Sequence, residues 1–294
     1  MPRSTEIDVE VAAALAQGAR ARQEDALATA FPQGAELGFA VLSDGMGGHA
    51  AGDVASRIIV SEIFAELTLR SVHPDFETSD IPRLLEHAVR VANECLRAHV
   101  EDAPEMHGMG GTVIATMMAG NRLFWASVGD SPLYLYRKGA LSRLNADHSM
   151  APQIDLLAEQ GVIDAATARD HPQRNCLTSA LVGEEIPEID CPEAGVELLP
   201  GDLVLAASDG LQYLPDAGIA TILKRARRKA SAGIAEALIA GVSGLNDPEQ
   251  DNISVVVFKA AAKRAPRAGL SPLALFAGLT GGLAPVSQLT ARDG

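Results

Sequence analysis

Four aspartates in this 294-residue chain each stand where an apolar, strand-like run stops or begins. The strings are AVLSDGMGGH around Asp44, WASVGDS around Asp130, LVLAASDGL around Asp209, and DNISVVVF opening on Asp251. A strand end is a rigid place from which to aim a carboxylate at a shared edge. Gly45 and Gly210 directly follow two of these aspartates. Glycine lets backbone approach a cation closely, so its carbonyl can join the donor set. Several carboxylates with oxygen-only donors suit Mg2+ or Mn2+ rather than zinc. A single Asp-Gly is ordinarily a turn former, but four carboxylates at four strand ends are poorly explained that way. Upstream, GARARQED places Arg20 and Arg22 just before Glu24 and Asp25. A guanidinium grips two phosphate oxygens at once, which an ammonium cannot.

The bulk properties narrow the field. With 47% hydrophobic and 21% charged residues, the chain can bury a core. Its formal net charge of −14 makes it a poor match for a nucleic-acid backbone, which is bound by lysine and arginine. Cys95, Cys176 and Cys191 are odd in number and widely spaced, which argues against a disulfide framework or a structural zinc site. Reduced thiols, and a first thirty residues that contain Glu6, Asp8, Glu10, Glu24 and Asp25, point to a cytoplasmic protein without a secretory signal.

The elements that must position the aspartates can be read in outline. Strand patterns cover Gly38–Ser43, Thr112–Ala119, Arg122–Val128, Leu133–Arg137, Asp202–Ala207 and Ile253–Phe258. The Gly120-Asn121 turn and the short Gly129–Pro132 link imply antiparallel neighbours, since a parallel crossover needs a dozen residues or more. Helical periodicity marks Asp53–Leu69 and Pro82–Val100, with shorter helices at Ile154–Gln160 and Ile234–Val242. Together these indicate an α+β layered domain. The basic run Lys224–Lys229 reads as a solvated helix face. From Ala260 the composition shifts to Ala, Gly and Pro. The division is therefore 1–259 for the catalytic domain and 260–294 for a flexible tail. Pro272, Pro285 and a Gly-rich centre argue against Leu270–Leu289 as a membrane anchor.

Taken in order, the motifs resemble the metal-dependent protein phosphatase family, also called protein phosphatase 2C-like, in its bacterial form. The resemblance runs from about Ala13 to Phe258. R-x-x-N-E-D is similar to Arg20–Asp25, and D-G-M-G-G-H is Asp44–His49 unchanged. M-G-T-T is similar to Met109–Thr112, and V-G-D-S-R-x-Y to Val128–Tyr134. D-H-S is Asp147–Ser149, L-T-x-A-L-G is similar to Leu177–Gly183, and the last two motifs are Ser208–Gly210 and Asp251-Asn252. The resemblance implies a four-layer αββα sandwich of two antiparallel sheets flanked by helices, with hydrolysis of phosphoserine and phosphothreonine in proteins. It further implies two Mn2+ or Mg2+ ions bridged by Asp44 and completed by the Gly45 carbonyl, Asp209 and Asp251. A third ion is often held through the position of Asp130, assisted by Asp209. Arg20 would bind the phosphate, Glu24 would hold a water on a metal, and Asp25 would orient the surrounding groups. The implied partners are phosphoproteins, with targets of a bacterial Ser/Thr kinase as one class, and not nucleic acid.

Departures from the family pattern are Gln23 for Asn, Gly111 for Thr and Pro132 for Arg, none of them a proposed metal ligand. Some eukaryotic members place a histidine where this chain has Met46, so water or another group must protonate the leaving oxygen. His49 reads as a capping or packing residue. Pro152–Asn175 resembles the mobile flap that family members carry beside the site. Two alternatives stand beside this reading: another metal-dependent phosphoesterase, and a non-catalytic binding module. The acidic charge weighs against a nuclease. The complete Asp44, Asp209 and Asp251 set weighs against a binding module.

Overall fold

Side chains of a strand alternate between its two faces, and here both faces of the central strands are apolar. Such strands must be covered on each side. The computed structural model of the chain describes residues 7–32, 37–47 and 51–263. In chain order the strands are β1 (Ile7–Ala16), β2 (Asp25–Ala30), β3 (Leu37–Met46), β4 (Gly110–Gly111), β5 (Val113–Ala119), β6 (Arg122–Val128), β7 (Leu133–Arg137), β8 (Ala140–Arg143), β9 (Val196–Glu197), β10 (Leu203–Ala207) and β11 (Ile253–Ala262). The helices are α1 (Ala51–Ser71), α2 (Ile81–Asp102), α3 (Ala151–Glu159), α4 (Ala165–Arg169), α5 (Asp216–Ala226) and α6 (Ser231–Ser243).

The strands form two antiparallel sheets, β1-β11-β10-β7-β8 and β2-β3-β5-β6-β9, with β4 paired to β3. Strand alternation then sorts the core into three layers of side chains. Val41, Val113, Ala115 and Met117 of the second sheet pack against α1 and α2, meeting Ile59, Ile63, Leu85 and Val89. Leu205, Ile253, Val255 and Val257 of the first sheet pack against α5 and α6, meeting Ile219, Leu223, Ile234 and Leu238. Their alternates, Leu42, Ile114, Trp125, Val204, Val256 and Phe258, face one another between the sheets. The result is the αββα sandwich implied by the resemblance.

Two of the following features differ from the sequence reading and one bears it out. First, Gly129–Pro132 does not join neighbours in one ladder, because β6 and β7 lie in different sheets. Gly129 takes a φ of +101°. The Asn145 side chain accepts from Leu133 N at 2.8 Å and donates to Ser131 O at 2.9 Å. That side chain satisfies the backbone where the chain leaves one sheet for the other. Second, the helix read at Ile154–Gln160 is borne out as α3, and Pro152–Asn175 holds α4 as well. Asp164 caps α4 through the backbone N–H groups of Ala166 and Thr167, and Arg174 clamps Asp155 in α3 with contacts of 2.7 and 2.9 Å. Third, the basic run straddles the end of α5. Lys224 and Arg225 occupy its last turn, where cations suit the helix dipole, and all five basic residues are exposed. The chain divides into Met1–Ala262 and Lys263–Gly294. His49 and nearly all of the tail read from the sequence lie outside the described residues.

Phe258 is fully buried between the sheets and makes an edge contact with Phe31 at 5.5 Å. Phe258→Ala should therefore lower unfolding free energy in urea by roughly 3–5 kcal/mol. Leu69→Ala, at a 68% exposed position, should change it by less than about 0.5 kcal/mol.

Candidate active site

The register of the two sheets brings the aspartates together. Asp25 of β2 stands directly opposite Asp44 of β3. Asp130 lies two residues after β6, Asp209 two residues after β10, and Asp251 two residues before β11. All these ends lie on the same edge of the sandwich. The Asp209 and Asp44 carboxyls lie close enough that each shifts the other's titration. Arg20, on the loop after β1, donates from Nη2 to Asp251 Oδ2 at 2.5 Å.

The loops reach this edge because glycines let backbone pass against backbone. A Cβ on Gly45 would lie 2.0 Å from the Gly52 carbonyl, and one on Gly210 would lie 1.9 Å from the Asn252 carbonyl. Gly52, in the first turn of α1, supplies a further clearance. A Cβ there would meet the Gly45 carbonyl oxygen at 3.0 Å and the Glu24 carboxyl carbon at 3.1 Å. So the Gly45 carbonyl and the Glu24 carboxylate converge on one spot that any larger residue at 52 would crowd.

Several positioning groups emerge only from the tertiary structure. Asn252 accepts from Glu24 N at 2.7 Å and donates to the carbonyls of Gln17 and Arg22 at 2.8 and 2.9 Å. One amide thus fixes the whole Arg20–Asp25 loop. Ser208 and Ser254, both from the first sheet, donate to Asp25 Oδ2 from the second, the former at 2.8 Å. Asp44 N bonds to Thr112 Oγ1, which pairs with Ser131 Oγ at 2.7 Å. Arg143 donates to the Asp130 carbonyl at 2.7 Å and pairs with Asp147 at 2.8 Å. Asn252 and Ser208 belong to recognisable motifs, but their neighbours across the fold are not adjacent in sequence. Ser254 follows Asn252 by two along the strand, which was the only available clue to its facing the same edge.

Concentrating like charge in a part-buried edge has a clear electrostatic signature. Burial pushes the Asp44 carboxyl well above its ordinary range, and Asp25, Asp209, Asp130 and Asp251 push it further. Burial raises Asp25 to about 6, with Asp209 and Asp251 adding to the rise and the two serine hydroxyls opposing it. Burial raises Asp130 to about 7, reinforced by Asp209 and Asp147. Asp209 is also raised, by burial and then Asp251. Burial raises Glu24 too, partly offset by Arg20. Asp25 Oδ1 and Asp209 Oδ1 are buried with no hydrogen-bond partner. Oxygen donors left unpaired among mutually repelling carboxylates fit a hard divalent cation.

Among the described residues, no three acidic, His or Cys side chains close into a metal cage by themselves. An open donor set is what Mg2+ and similar ions require. They keep several waters and take only one or two carboxylates each. As the side chains stand, Arg20 occupies part of this donor set through Asp251. The residues present thus fit bound divalent ions through their oxygen chemistry.

Comparison with known proteins agrees with this geometry. The family model described as Protein phosphatase 2C matches residues 15–236. The chain is 36% identical over 217 residues to the serine/threonine protein phosphatase PstP of Mycobacterium tuberculosis, covering 74% of this chain and 39% of that protein. It thus spans about two fifths of the length of that curated relative. It is 33% identical over 224 residues to the serine/threonine phosphatase stp of Listeria innocua, covering 74% of this chain and 82% of that one. The crystal structure of the PstP catalytic domain in complex with two manganese ions superposes with a TM-score of 0.68 at 33% identity, covering 87% of this chain and 99% of that one.

The raised carboxyls also set a pH dependence for the metal-free protein. A carboxyl whose folded pKa exceeds its unfolded value contributes stability below the unfolded pKa, and that contribution is lost as pH rises through the folded pKa. With metal chelated, thermal unfolding monitored by circular dichroism should shift to lower temperature between about pH 4 and pH 7, the window set by Asp25 and Asp130. Added Mn2+ should raise the melting temperature more at pH 7.5 than at pH 5, because protons compete for the same oxygens.

Proposed function

We propose that this chain, which belongs to the protein phosphatase 2C family, removes phosphate from phosphoserine and phosphothreonine side chains of proteins by metal-dependent hydrolysis. The observation that carries this reading is the gathering of Asp44, Asp209, Asp251, Asp25 and Asp130 at one sandwich edge beside the Arg20 guanidinium.

In this reading Asp44, the Gly45 carbonyl, Asp209 and Asp251 hold two divalent ions, and Asp130 with Asp209 offers a place for a third. Mn2+ or Mg2+ suits these donors, and the manganese-bound PstP domain supports the first. When bound, such paired ions lower the pKa of water and supply hydroxide at neutral pH.

The chain's own residues do the rest. Arg20 is half-exposed, so its guanidinium is free to turn from Asp251 and pair with two phosphoryl oxygens. Glu24 lies beside the Gly45 carbonyl and would hold a water on a metal there. Asp25 does not reach the substrate; held by Ser208 and Ser254, it keeps β2 in register so that Glu24 and Asp44 stay aimed. Met46 has no proton to give, so the leaving oxygen takes its proton from water or another group.

The substrates are phosphoproteins, with targets of a bacterial Ser/Thr kinase as one class. A cytoplasmic location is consistent with three free cysteines. Among the described residues no helix is long and apolar enough to cross a membrane. Residues 1–262 carry the activity in this reading, and 263–294 form an appended tail, three residues later than the boundary read from the sequence because β11 runs to Ala262.

Phosphate release from a phosphothreonine peptide, followed with Mn2+, Mg2+ and EDTA, tests the reading. Turnover should require the metal, and Asp209→Asn should lower kcat by about 10²-fold or more. Arg20→Ala should raise KM as well as lower kcat, since it removes a group that holds phosphate in both ground and transition states. Turnover that survives EDTA and Asp209→Asn would overturn the mechanism, and none from folded, metal-loaded protein would favour a binding module.

A further inference from the structure

Beside the carboxylate edge, on the other side of Arg20, lies a groove of about 390 Å³ lined by Ala19, Arg20, Tyr213, Pro248 and Glu249. None of its residues except Arg20 is used by the hydrolysis described above. We infer that this groove receives a long cationic side chain, arginine or lysine, lying within two residues of the phosphorylated residue of a peptide substrate. The inference rests on the phosphatase reading and adds a preference among its substrates.

The groove is built rather than incidental. Tyr213 ends the 3-10 turn that starts at Asp209. Its hydroxyl donates to the Glu249 carbonyl at 2.7 Å, tying that turn to the loop before β11. The loop is held at its own start, where Glu249 N bonds to Asp247 Oδ1 at 2.9 Å. It is held at its far end as well, where Ala19 N bonds to the Gln250 carbonyl at 2.9 Å. Gly18, at a φ of +62°, lets the two loops touch, since a Cβ there would stand 2.1 Å from the Asp251 carbonyl. The walls therefore share two anchors, Asp209 and Asp251, with the candidate active site.

The chemistry of the walls selects the occupant. Tyr213 and Pro248 offer an aromatic and an aliphatic surface for a methylene stem, and a tyrosine face attracts a cation. Glu249 puts a carboxylate in the wall itself, and Asp247 stands two residues before it, accepting from Glu249 N. The guanidinium of Arg20, on the opposing wall, holds the substrate phosphate in the reading above, so the phosphate balances its charge. Burial is the first cause that raises the Tyr213 phenol above its ordinary range, with Asp251, Asp247 and Asp209 adding to it. Distance supports the assignment too. Arg20 would hold the phosphate at one end of the groove, and one to two extended residues span about 3–7 Å.

A panel of phosphothreonine peptides tests this, with arginine, alanine or glutamate at each of the four positions within two residues of the phosphate. Wild-type enzyme in Mn2+ should favour arginine over alanine at one of these positions by roughly three- to tenfold in kcat/KM, the size of an exposed cation–π contact plus a surface ion pair. Glutamate there should be disfavoured. Glu249→Gln and Tyr213→Ala should each bring the arginine-to-alanine ratio toward one, with the loss in KM. The ratio should also shrink as NaCl is raised, since exposed ion pairs are screened. Equal rates for arginine and alanine peptides at all four positions, or a preference unchanged in both variants, would overturn the inference while leaving the phosphatase reading intact. A wild-type chain that hydrolyses neither p-nitrophenyl phosphate nor any peptide would overturn the reading itself, and this inference with it.

Discussion

Asp25 sits where the two sheets must be joined. Its carboxylate belongs to β2, yet its hydrogen-bond donors, Ser208 and Ser254, come from the ends of β10 and β11 in the other sheet. Its strand partner is Asp44. One buried carboxylate therefore links the sheets at the edge where the remaining carboxylates collect. A buried acid bound by hydroxyls on one oxygen and by nothing on the other is costly to keep. That cost is tolerable where a bound cation can balance the charge, and the same carboxylate then serves both fold and site.

The rest of the structure supplies rigidity to that edge. The two sheets are covered on their outer faces by α1 and α2 and by α5 and α6, and they bury Leu42, Ile114, Val256 and Phe258 between them. Strands packed on both faces cannot slip by one residue without sending their apolar side chains into the wrong layer. Register is therefore fixed over long stretches, and the strand ends that carry Asp44, Asp209 and Asp251 inherit that precision. Loops carry the remaining site residues, and Asn252 binds the Glu24 loop to the start of β11. A site assembled from strand ends with one loop pinned over it can hold like charges close without relaxing apart.

Like-charge concentration also explains why the site edge and the groove beside it share one field. Beyond Arg20 the carboxylates continue, with Asp247 and Glu249 on the loop that the Tyr213 hydroxyl bonds. Arg20 stands between edge and groove, paired with Asp251. A phosphate brought to Arg20 and a cation brought to the groove are complementary demands made by one charge distribution.

Much of this was legible in the sequence, for a local reason. The strands β5, β6, β7, β10 and β11 and the helices α1 and α2 announce themselves through apolar periodicity, which depends on near neighbours alone. The Asp-Gly pairs at 44–45 and 209–210 were visible as strand ends, and their order along the chain carried the family resemblance. What the sequence could not determine is which strand lies beside which. The short link Gly129–Pro132 read as a hairpin connection, but the Asn145 side chain takes over the backbone hydrogen bonds and lets the chain cross between sheets. The partnership of Asp25 with Ser208 and Ser254, separated by 183 and 229 residues, leaves no local trace. The same holds for the loop bond from Tyr213 to Glu249. By itself the sequence determined the elements, the aspartates at their ends and the chemistry those oxygens can do. Only the tertiary structure decided which carboxylates share a field and which amide and hydroxyls hold them, because those are contacts between segments far apart in the chain.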